Sequence, residues 1–290
     1  MLKKRLIASL IIKDGILVQS INFNKYLPIG DPKYTVELIS RWDVDEIVLL
    51  DISARTEKRI ISLEVLNLVS KYCFVPLTVG GGIKSIDDVQ SIISTGADKI
   101  VINSECIFNP KLITDISSKF GNQCVVVSID CKKNKNGSYE VYSDSGTKKS
   151  NLDPIEWSKI AESLGAGEIL LNSIDRDGTK QGYDIDLISS ISNNVKIPVI
   201  ALGGVGKFSH FAEGIIDGNA SAVGAANIFH FIEHSTIVAK ANLLRAGIDI
   251  RLDSEASYND REFDSFGRFI TYSSDRLKDI ELKPSKKRIV

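Results

Sequence analysis

Hydrophobic and polar positions alternate along this chain with two different periods. Short, nearly continuous apolar runs, typical of strands buried on both faces, are followed by amphipathic segments with the spacing of helices. Residues 76–103 show one complete unit, with a strand, three glycines, a helix and a second strand. Eight alternations of this kind predict an α/β fold, the (β/α)8 TIM barrel, in which a functional site lies at the carboxyl ends of the strands.

The unit at residues 76–103 has a second copy at residues 198–231. Gly82 in the first copy corresponds to Gly204 in the second, and a proline opens each copy. This correspondence predicts a two-fold internal repeat. We predict a barrel domain over residues 1–252, made of half-barrels at about 1–120 and 121–252. A polar extension is predicted over residues 253–290.

The repeated glycine turns are candidate phosphate sites. Glycines at the ends of parallel strands allow backbone N–H groups to approach a phosphate closely. Because there are two copies, we expect a phosphorylated small molecule with one phosphate near each turn. Tight turns also use glycine for steric reasons alone, and this alternative stays open.

Composition narrows the class of protein. A net charge of −1 and 43% hydrophobic residues indicate an ordinary globular chain without a global attraction to nucleic acid or membranes. No apolar run approaches the roughly 20 residues that a membrane span needs. The four cysteines lack metal spacing and the three histidines form no cluster, so we expect no metal, no cofactor and a cytoplasmic location.

Several short motifs resemble those of a known enzyme family in order and spacing. They are KDG at Lys13, LTVGGGI at Leu77, ADK at Ala97, DRDGT at Asp175 and FHF at Phe229. In these motifs the chain is similar to the cyclase subunit of imidazole glycerol phosphate synthase, over about residues 1–251. The resemblance implies a barrel that receives ammonia from a separate glutaminase subunit. It also implies that the barrel adds this ammonia to a phosphoribosyl-ribonucleotide, giving imidazole glycerol phosphate and an aminoimidazole carboxamide ribotide.

The resemblance also implies roles for particular residues. The first predicted phosphate site comprises Gly82, Asn103 and Ser104, and the second comprises Asp177, Gly178, Gly204, Ala226 and Asn227. At the amino-terminal face of the barrel, where the glutaminase is expected to bind, Asp98 matches a partner-facing position. The residues that match an ammonia gate, here called the charged ring, are Arg5, Glu46, Lys99 and Glu168. Ordinary salt bridges at strand starts would also explain these four charges, but their alternating sign favours a closed ring.

One departure from the family pattern changes the functional prediction. The family uses two aspartates, at the ends of the first and fifth strands, as a general acid/base pair. Asp130 ends the fifth strand, and serine and lysine neighbours shared by both strands identify the matching position as Ile11. Isoleucine cannot exchange a proton. A family lysine in the first loop is also replaced, by Gln19, and a small hydroxyl residue by Asn227.

We therefore predict a paralogue that still takes ammonia from a glutaminase but is diverted to the amidation of a sugar in surface-polysaccharide (O-antigen-type) biosynthesis. A sugar amidotransferase is then a candidate further partner. Three alternatives stay open. The first is a working cyclase of histidine biosynthesis in which Asp130 acts alone. The second is a catalytically silent activator of a glutaminase. The third is the related isomerase of histidine biosynthesis, which needs both aspartates and does not need the charged ring.

Overall fold

The computed structural model describes residues 3–230 and 235–251. Eight parallel strands close into a barrel in the order β1, β4, β5, β6, β7, β10, β11 and β12, with β12 returning to β1. The predicted (β/α)8 barrel is thus confirmed. The strands of the sheet are β1 (Arg5–Lys13), β2 (Ile16–Ile21), β3 (Lys25–Gly30), β4 (Glu46–Asp51), β5 (Leu77–Gly80), β6 (Lys99–Ile102), β7 (Val125–Lys133), β8 (Tyr139–Ser143), β9 (Lys148–Lys149), β10 (Glu168–Ser173), β11 (Val199–Leu202) and β12 (Ala222–Ala225).

Helices between the strands cover the outside of the barrel. They are α1 (Pro32–Arg41), α2 (Leu63–Ser70), α3 (Ile86–Thr95), α4 (Ser104–Phe108), α5 (Lys111–Phe120), α6 (Pro154–Ser163), α7 (Ile185–Ser192), α8 (Ser209–Ile216) and α9 (Ser235–Arg245). Most of the buried hydrophobic residues lie between these helices and the strands. A second, smaller cluster fills the inside of the barrel, here called the apolar layer: Ile7, Val48, Val101, Val126, Leu170, Ile200, Leu202 and Ala222.

Local capping signals fix several helix starts where the sequence predicts them. Asp31 and Asp153 cap α1 and α6, and each is followed by a proline in the first helical position. At α3 the side chains and backbone of Ser85 and Asp88 form a reciprocal capping box. These signals act within one turn of the chain, so they do not depend on the rest of the fold.

The start of the second helix differs from the sequence prediction. A helix over residues 56–71 is expected, but α2 begins at Leu63 behind the cap residue Ser62. The preceding residues instead turn around Asp51, whose carboxylate accepts hydrogen bonds from the backbone of Ser53 and Ala54. Hydrogen bonds from backbone N–H groups to this carboxylate stabilise a turn here, as an alternative to an earlier start of the helix.

Two antiparallel hairpins extend from the carboxyl ends of barrel strands. The one built on β7 and β8 turns at Asn136-Gly137, as predicted. The segment after β1, predicted as a loop, forms the β2–β3 hairpin. Asp14 and Gly15 have φ of 52° and 78°, and positive φ at both central residues favours a tight hairpin turn.

The last described residues lie beside the amino-terminal face of the barrel, where Ile250 forms a bridge with Lys4. The predicted extension at 253–290 lies outside the described residues. No helix in the described part of the chain is long and apolar enough to cross a membrane.

Candidate functional site

A cavity with two lobes opens at the carboxyl ends of the strands. The larger lobe, of about 140 Å³, contains Asp130 and the whole first predicted phosphate site. The smaller lobe, of about 30 Å³, contains the whole second predicted phosphate site. The residues that line both lobes, and therefore form their junction, are Ser9, Ile11, Asn172 and Leu202. Each of the two predicted phosphate sites thus lies in a lobe of its own.

Asp130 is a buried carboxylic acid in the wall of the larger lobe. Its Oδ2 accepts a hydrogen bond of 2.7 Å from Asn103 Nδ2, and its Oδ1 accepts a longer one of 3.4 Å from the Ser128 hydroxyl. Burial raises the pKa of Asp130 to about 7, because these two hydrogen bonds only partly offset the loss of water. A carboxyl group with this pKa can both donate and accept a proton near neutral pH.

Ile11 occupies the position where a second carboxylate would complete a pair. It lies on β1 at the junction of the two lobes, so its side chain faces both. Asp51 also lines the larger lobe, but its carboxylate is held by the Arg59 guanidinium at 2.6 Å and by two backbone N–H groups. Asp130, by contrast, has no ion pair with any described residue.

At the first predicted phosphate site, the hydroxyl of Ser104 already has a protein partner. It accepts a hydrogen bond of 2.9 Å from the backbone N–H of Asp144, at the end of β8. Gly82 lies so close to the chain that a Cβ atom would be 1.8 Å from the Arg59 carbonyl oxygen. Close packing alone therefore requires glycine at this position, and phosphate binding there stays a prediction.

The second predicted phosphate site is joined to the β2–β3 hairpin. Asp177 accepts hydrogen bonds from the Ser20 hydroxyl at 2.6 Å and from the Phe23 N–H at 3.2 Å. Asn227 Nδ2 donates to the Ser20 carbonyl at 2.7 Å, and burial raises the pKa of Asp177. A Cβ atom at Gly178 or Gly204 would lie 2.6 Å or 2.1 Å from a carbonyl oxygen, so packing explains these glycines too. Ala226 lines the same lobe.

A group of charges at the rim of the larger lobe is absent from the sequence prediction. Arg55 forms ion pairs with Asp144 and, at 3.4 Å, with Glu105. The three residues come from three separate segments of the chain, and no local pattern in the sequence brings them together. Their ion pairs attach the β8–β9 hairpin to the loop after β4 and to helix α4, which follows β6.

The four residues of the charged ring meet at the opposite end of the barrel. Arg5 contacts Glu46 at 2.8 Å and Glu168 at 3.1 Å, while Lys99 contacts the same two carboxylates at 3.0 and 3.1 Å. Each charge therefore touches two opposite charges, and the ring is closed. Its role as an ammonia gate remains a prediction.

Two further residues belong to this end of the barrel. The Thr78 hydroxyl donates to Glu46 at 2.6 Å, which orients the most buried carboxylate of the ring. Strand alternation could have identified Thr78, because it faces inward beside Lys99 in the sheet register. Asp98 is exposed at this face, and its carboxylate accepts a hydrogen bond of 2.8 Å from the Leu77 N–H.

The apolar layer separates the charged ring from the cavity. Its residues come from seven of the eight barrel strands, all except β5, so a path along the axis passes between hydrocarbon groups. Moving an ion through such surroundings without a partner is costly, whereas a small neutral molecule pays much less. The barrel axis is thus better suited to uncharged than to charged species.

Comparisons with known proteins agree with this arrangement. The family model described as histidine biosynthesis protein matches residues 5–235, which include all eight barrel strands. A protein from Vibrio vulnificus (strain YJ016), named "Putative imidazole glycerol phosphate synthase subunit hisF2", is 46% identical over 268 residues. This match covers 92% of the present chain and 98% of the Vibrio protein.

Proposed function

Because the chain belongs to the histidine biosynthesis protein family, we propose that it is the ammonia-accepting barrel of a glutamine amidotransferase pair. In this proposal a glutaminase subunit binds at the amino-terminal face, around the charged ring and Asp98. The ammonia is delivered for the amidation of a sugar in polysaccharide biosynthesis instead of being used to close an imidazole ring.

The observation that carries this proposal is the contrast between the two ends of the barrel. At one end, Ile11 stands where a second catalytic carboxylate would face the cavity with Asp130. At the other end, the charged ring keeps all four of its ion pairs. General loss of function would not be expected to remove the acid/base pair while leaving the ring complete.

The route proposed for ammonia follows the barrel axis. The molecule enters by separating one ion pair of the charged ring and crosses the apolar layer as neutral NH3, since a cation would lose its hydration there. It emerges beside Asp130, whose pKa of about 7 allows the carboxyl group to accept or return a proton. The neutral side chain of Ile11 then leaves the cavity with a single group for proton transfer.

The first experiment measures turnover of the phosphoribosyl-ribonucleotide by the purified chain with ammonium as the nitrogen source. We expect a rate at least about 10²-fold below that of a family member with both aspartates, since this is the size of a general acid/base contribution. Ile11→Asp should recover part of the rate, whereas Ile11→Asn, of similar size but without a titratable group, should not. An ordinary rate for the unmodified chain would refute the diversion from imidazole formation.

A second measurement tests delivery to a sugar. Glutamine labelled with ¹⁵N in its amide is supplied to this barrel together with its two proposed partners, a glutaminase and a sugar amidotransferase. Label should enter the sugar only when all three proteins are present, and Asp98→Asn should lower its incorporation. Equal incorporation without the barrel would contradict the proposed route.

A working cyclase in histidine biosynthesis is the second candidate function. It is supported by the raised pKa of Asp130, which suits a single acid/base group, and by the printed name of the Vibrio relative. The turnover assay separates the two candidates directly. A catalytically silent activator would instead stimulate the glutaminase without transferring label to any acceptor.

A further inference from the structure

The outward side of α1 carries large apolar side chains. Tyr34 and Leu38 lie one turn apart on this helix and are 61% and 50% exposed, whereas Val36 and Ile39 are buried against the barrel. A helix on the surface of a soluble protein normally has polar residues on its outward side. Covering Tyr34 and Leu38 with another apolar group would therefore be favourable.

The turn before β5 enlarges this surface. Phe74 is 60% exposed there, and the Arg41 guanidinium of α1 lies 4.7 Å from the centre of its ring. The Lys33 ammonium group lies 4.3 Å from the ring centre of Tyr72 and 5.2 Å from that of Tyr34. The helix and the turn thus form one continuous surface, here called the aromatic patch: Lys33, Tyr34, Leu38, Arg41, Tyr72 and Phe74.

The aromatic patch is also basic. Lys33 and Arg41 belong to it, and the exposed Lys71 directly precedes Tyr72 in the chain. Glu37 is the one acidic residue within α1, and its surface ion pair with Arg41 is of the kind that contributes little. Cations and exposed aromatic rings together favour an occupant that brings both carboxylates and apolar side chains.

The described part of the chain ends at the same face of the barrel. Ile250 forms a bridge with Lys4, directly before β1, and Phe74 lies shortly before β5. Both of these strands pair with β4, so two strand spacings, about 10 Å, separate them. The helix layer adds about 10 Å, and roughly seven extended residues span the total. The 39 residues at 252–290 are thus more than long enough to reach the aromatic patch.

The sequence of this last part complements the aromatic patch in charge and in composition. Residues 252–264 have a net charge of −4, because they contain five acids and one arginine: Asp253, Glu255, Asp260, Arg261, Glu262 and Asp264. Five aromatic residues lie among and after these charges: Tyr258, Phe263, Phe266, Phe269 and Tyr272. The first of them follows Arg251 by seven residues, which is the length that the distance requires.

We propose that residues 253–272, here called the C-terminal segment, bind the aromatic patch of their own chain. The carboxylates of the segment lie near Lys33, Arg41 and Lys71, and its aromatic side chains cover Tyr34 and Phe74. A covalent tether gives the segment an effective concentration in the millimolar range, which favours it over a second copy of the chain in dilute solution. The proposal concerns a surface outside the cavity and does not depend on the ammonia route.

This contact would place the C-terminal segment beside the face proposed for the glutaminase. Burial raises the pKa of the Cys73 thiol to about 11, and the charge of Asp98 adds to this effect. Asp98 is therefore close to the turn that carries Phe74. A partner that binds around Asp98 would meet the edge of the bound segment.

The test is photo-crosslinking of the full chain in dilute solution, with p-benzoylphenylalanine in place of Phe74. Mass spectrometry should find crosslinks within one chain, from position 74 to residues 253–272. The matched control carries the same amino acid in place of Phe108, which is 62% exposed at the opposite end of the barrel, after β6. It should give no crosslink to the C-terminal segment. Both positions are exposed, so neither replacement disturbs the core.

A second arm tests the charge complementarity in the protein crosslinked from position 74. Asp260→Lys combined with Glu262→Lys should lower the yield at least about 3-fold, a modest effect because exposed ion pairs are individually weak. Asp275→Lys combined with Asp279→Lys makes the same change in net charge beyond the segment. This control should alter the yield less than about 1.5-fold.

Three outcomes would overturn the proposal. Crosslinks between two chains would assign the aromatic patch to a second copy. Crosslinks that form only after the proposed glutaminase is added, and only to that protein, would assign the patch to the partner. Equal effects of the two pairs of charge reversals, or no crosslink from position 74 to residues 253–272, would show that the segment does not bind there.

Discussion

At the scale of single residues, Asp130 brings a titratable group to the cavity wall, whereas Ile11 brings none. A carboxyl group with a pKa of about 7 remains half protonated at neutral pH, so it can act in either direction of proton transfer. The hydrogen bond from Asn103 fixes the position of one carboxyl oxygen. The burial that raises the pKa of Asp130 also makes its ionised form unfavourable in the folded protein.

This burial predicts a pH dependence of stability. In the unfolded chain an aspartate has a pKa of about 3.9. Between that value and about 7, the folded protein holds a proton that the unfolded chain has released, so the free energy of unfolding falls as the pH rises. Asp130→Asn should remove this fall. The free energy of unfolding of the variant, relative to that of the wild type, should therefore rise by more than about 1 kcal/mol from pH 5 to pH 8.

Urea unfolding of both proteins at the two pH values measures the effect. The exposed Asp186 provides the control, since Asp186→Asn should follow the wild type at both pH values. Parallel pH dependences for the wild type and Asp130→Asn would show that Asp130 does not titrate in this range.

At the scale of elements, the two hairpins determine how the cavity is covered. The turn of the β2–β3 hairpin is held by Asp177, and the end of β8 is held by Ser104 and Arg55. The hairpins also lie against each other, because a Cβ atom at Gly146 would come within 2.9 Å of the Phe23 ring. One hairpin extends from each half of the repeat, the first from β1 and the second from β7.

Loss of the Ser20 hydroxyl should loosen the first hairpin. It removes a buried hydrogen bond to a carboxylate, so local opening should become about 10-fold more frequent. Trypsin cleavage after the exposed Lys25 reports this opening in Ser20→Ala. Ser138→Ala, in the exposed turn of the other hairpin, serves as the control, and equal cleavage of both variants would contradict the prediction.

The elements differ in how far the sequence predicts them. Helix N-caps such as Asp31 and Ser85 bond to the first turn of their own helix, so the sequence alone predicts where these helices begin. The Asp14-Gly15 turn is equally local and is compatible with a hairpin, although the sequence prediction for this segment is a loop. The ion pairs of Arg55 with Asp144 and Glu105 join distant loops, so only the assembled barrel brings them together.

At the scale of the whole molecule, the barrel has a polar cluster at each end, and the apolar layer lies between them. The charged ring and Asp98 lie at one end, and the two-lobed cavity lies at the other. A partner bound at the first end would therefore not cover the second. This arrangement fits a subunit that receives a small molecule from one protein and presents it to another reactant.

Binding of a glutaminase to the amino-terminal face can be tested through Asp98. Asp98→Asn keeps the size of the side chain and removes its charge, so affinity for the proposed glutaminase partner should fall about 10-fold if Asp98 meets a cation there. Asp186→Asn, on the outer helix α7, should bind like the wild type. The measurement is calorimetry with the purified glutaminase, and unchanged affinity for Asp98→Asn would argue against docking at this face.

The closed ring of ion pairs has a consequence for proton balance. Its two cations and two carboxylates sum to zero, so a neutral molecule that separates one pair meets no net charge. An ammonium ion would instead compete with Arg5 and Lys99 for the carboxylates and then face the hydrocarbon beyond them. Nitrogen that crosses the barrel must leave its extra proton on the glutaminase side, and the acceptor side must supply any proton that its reaction needs. The two reactions would then exchange a nitrogen atom but no proton.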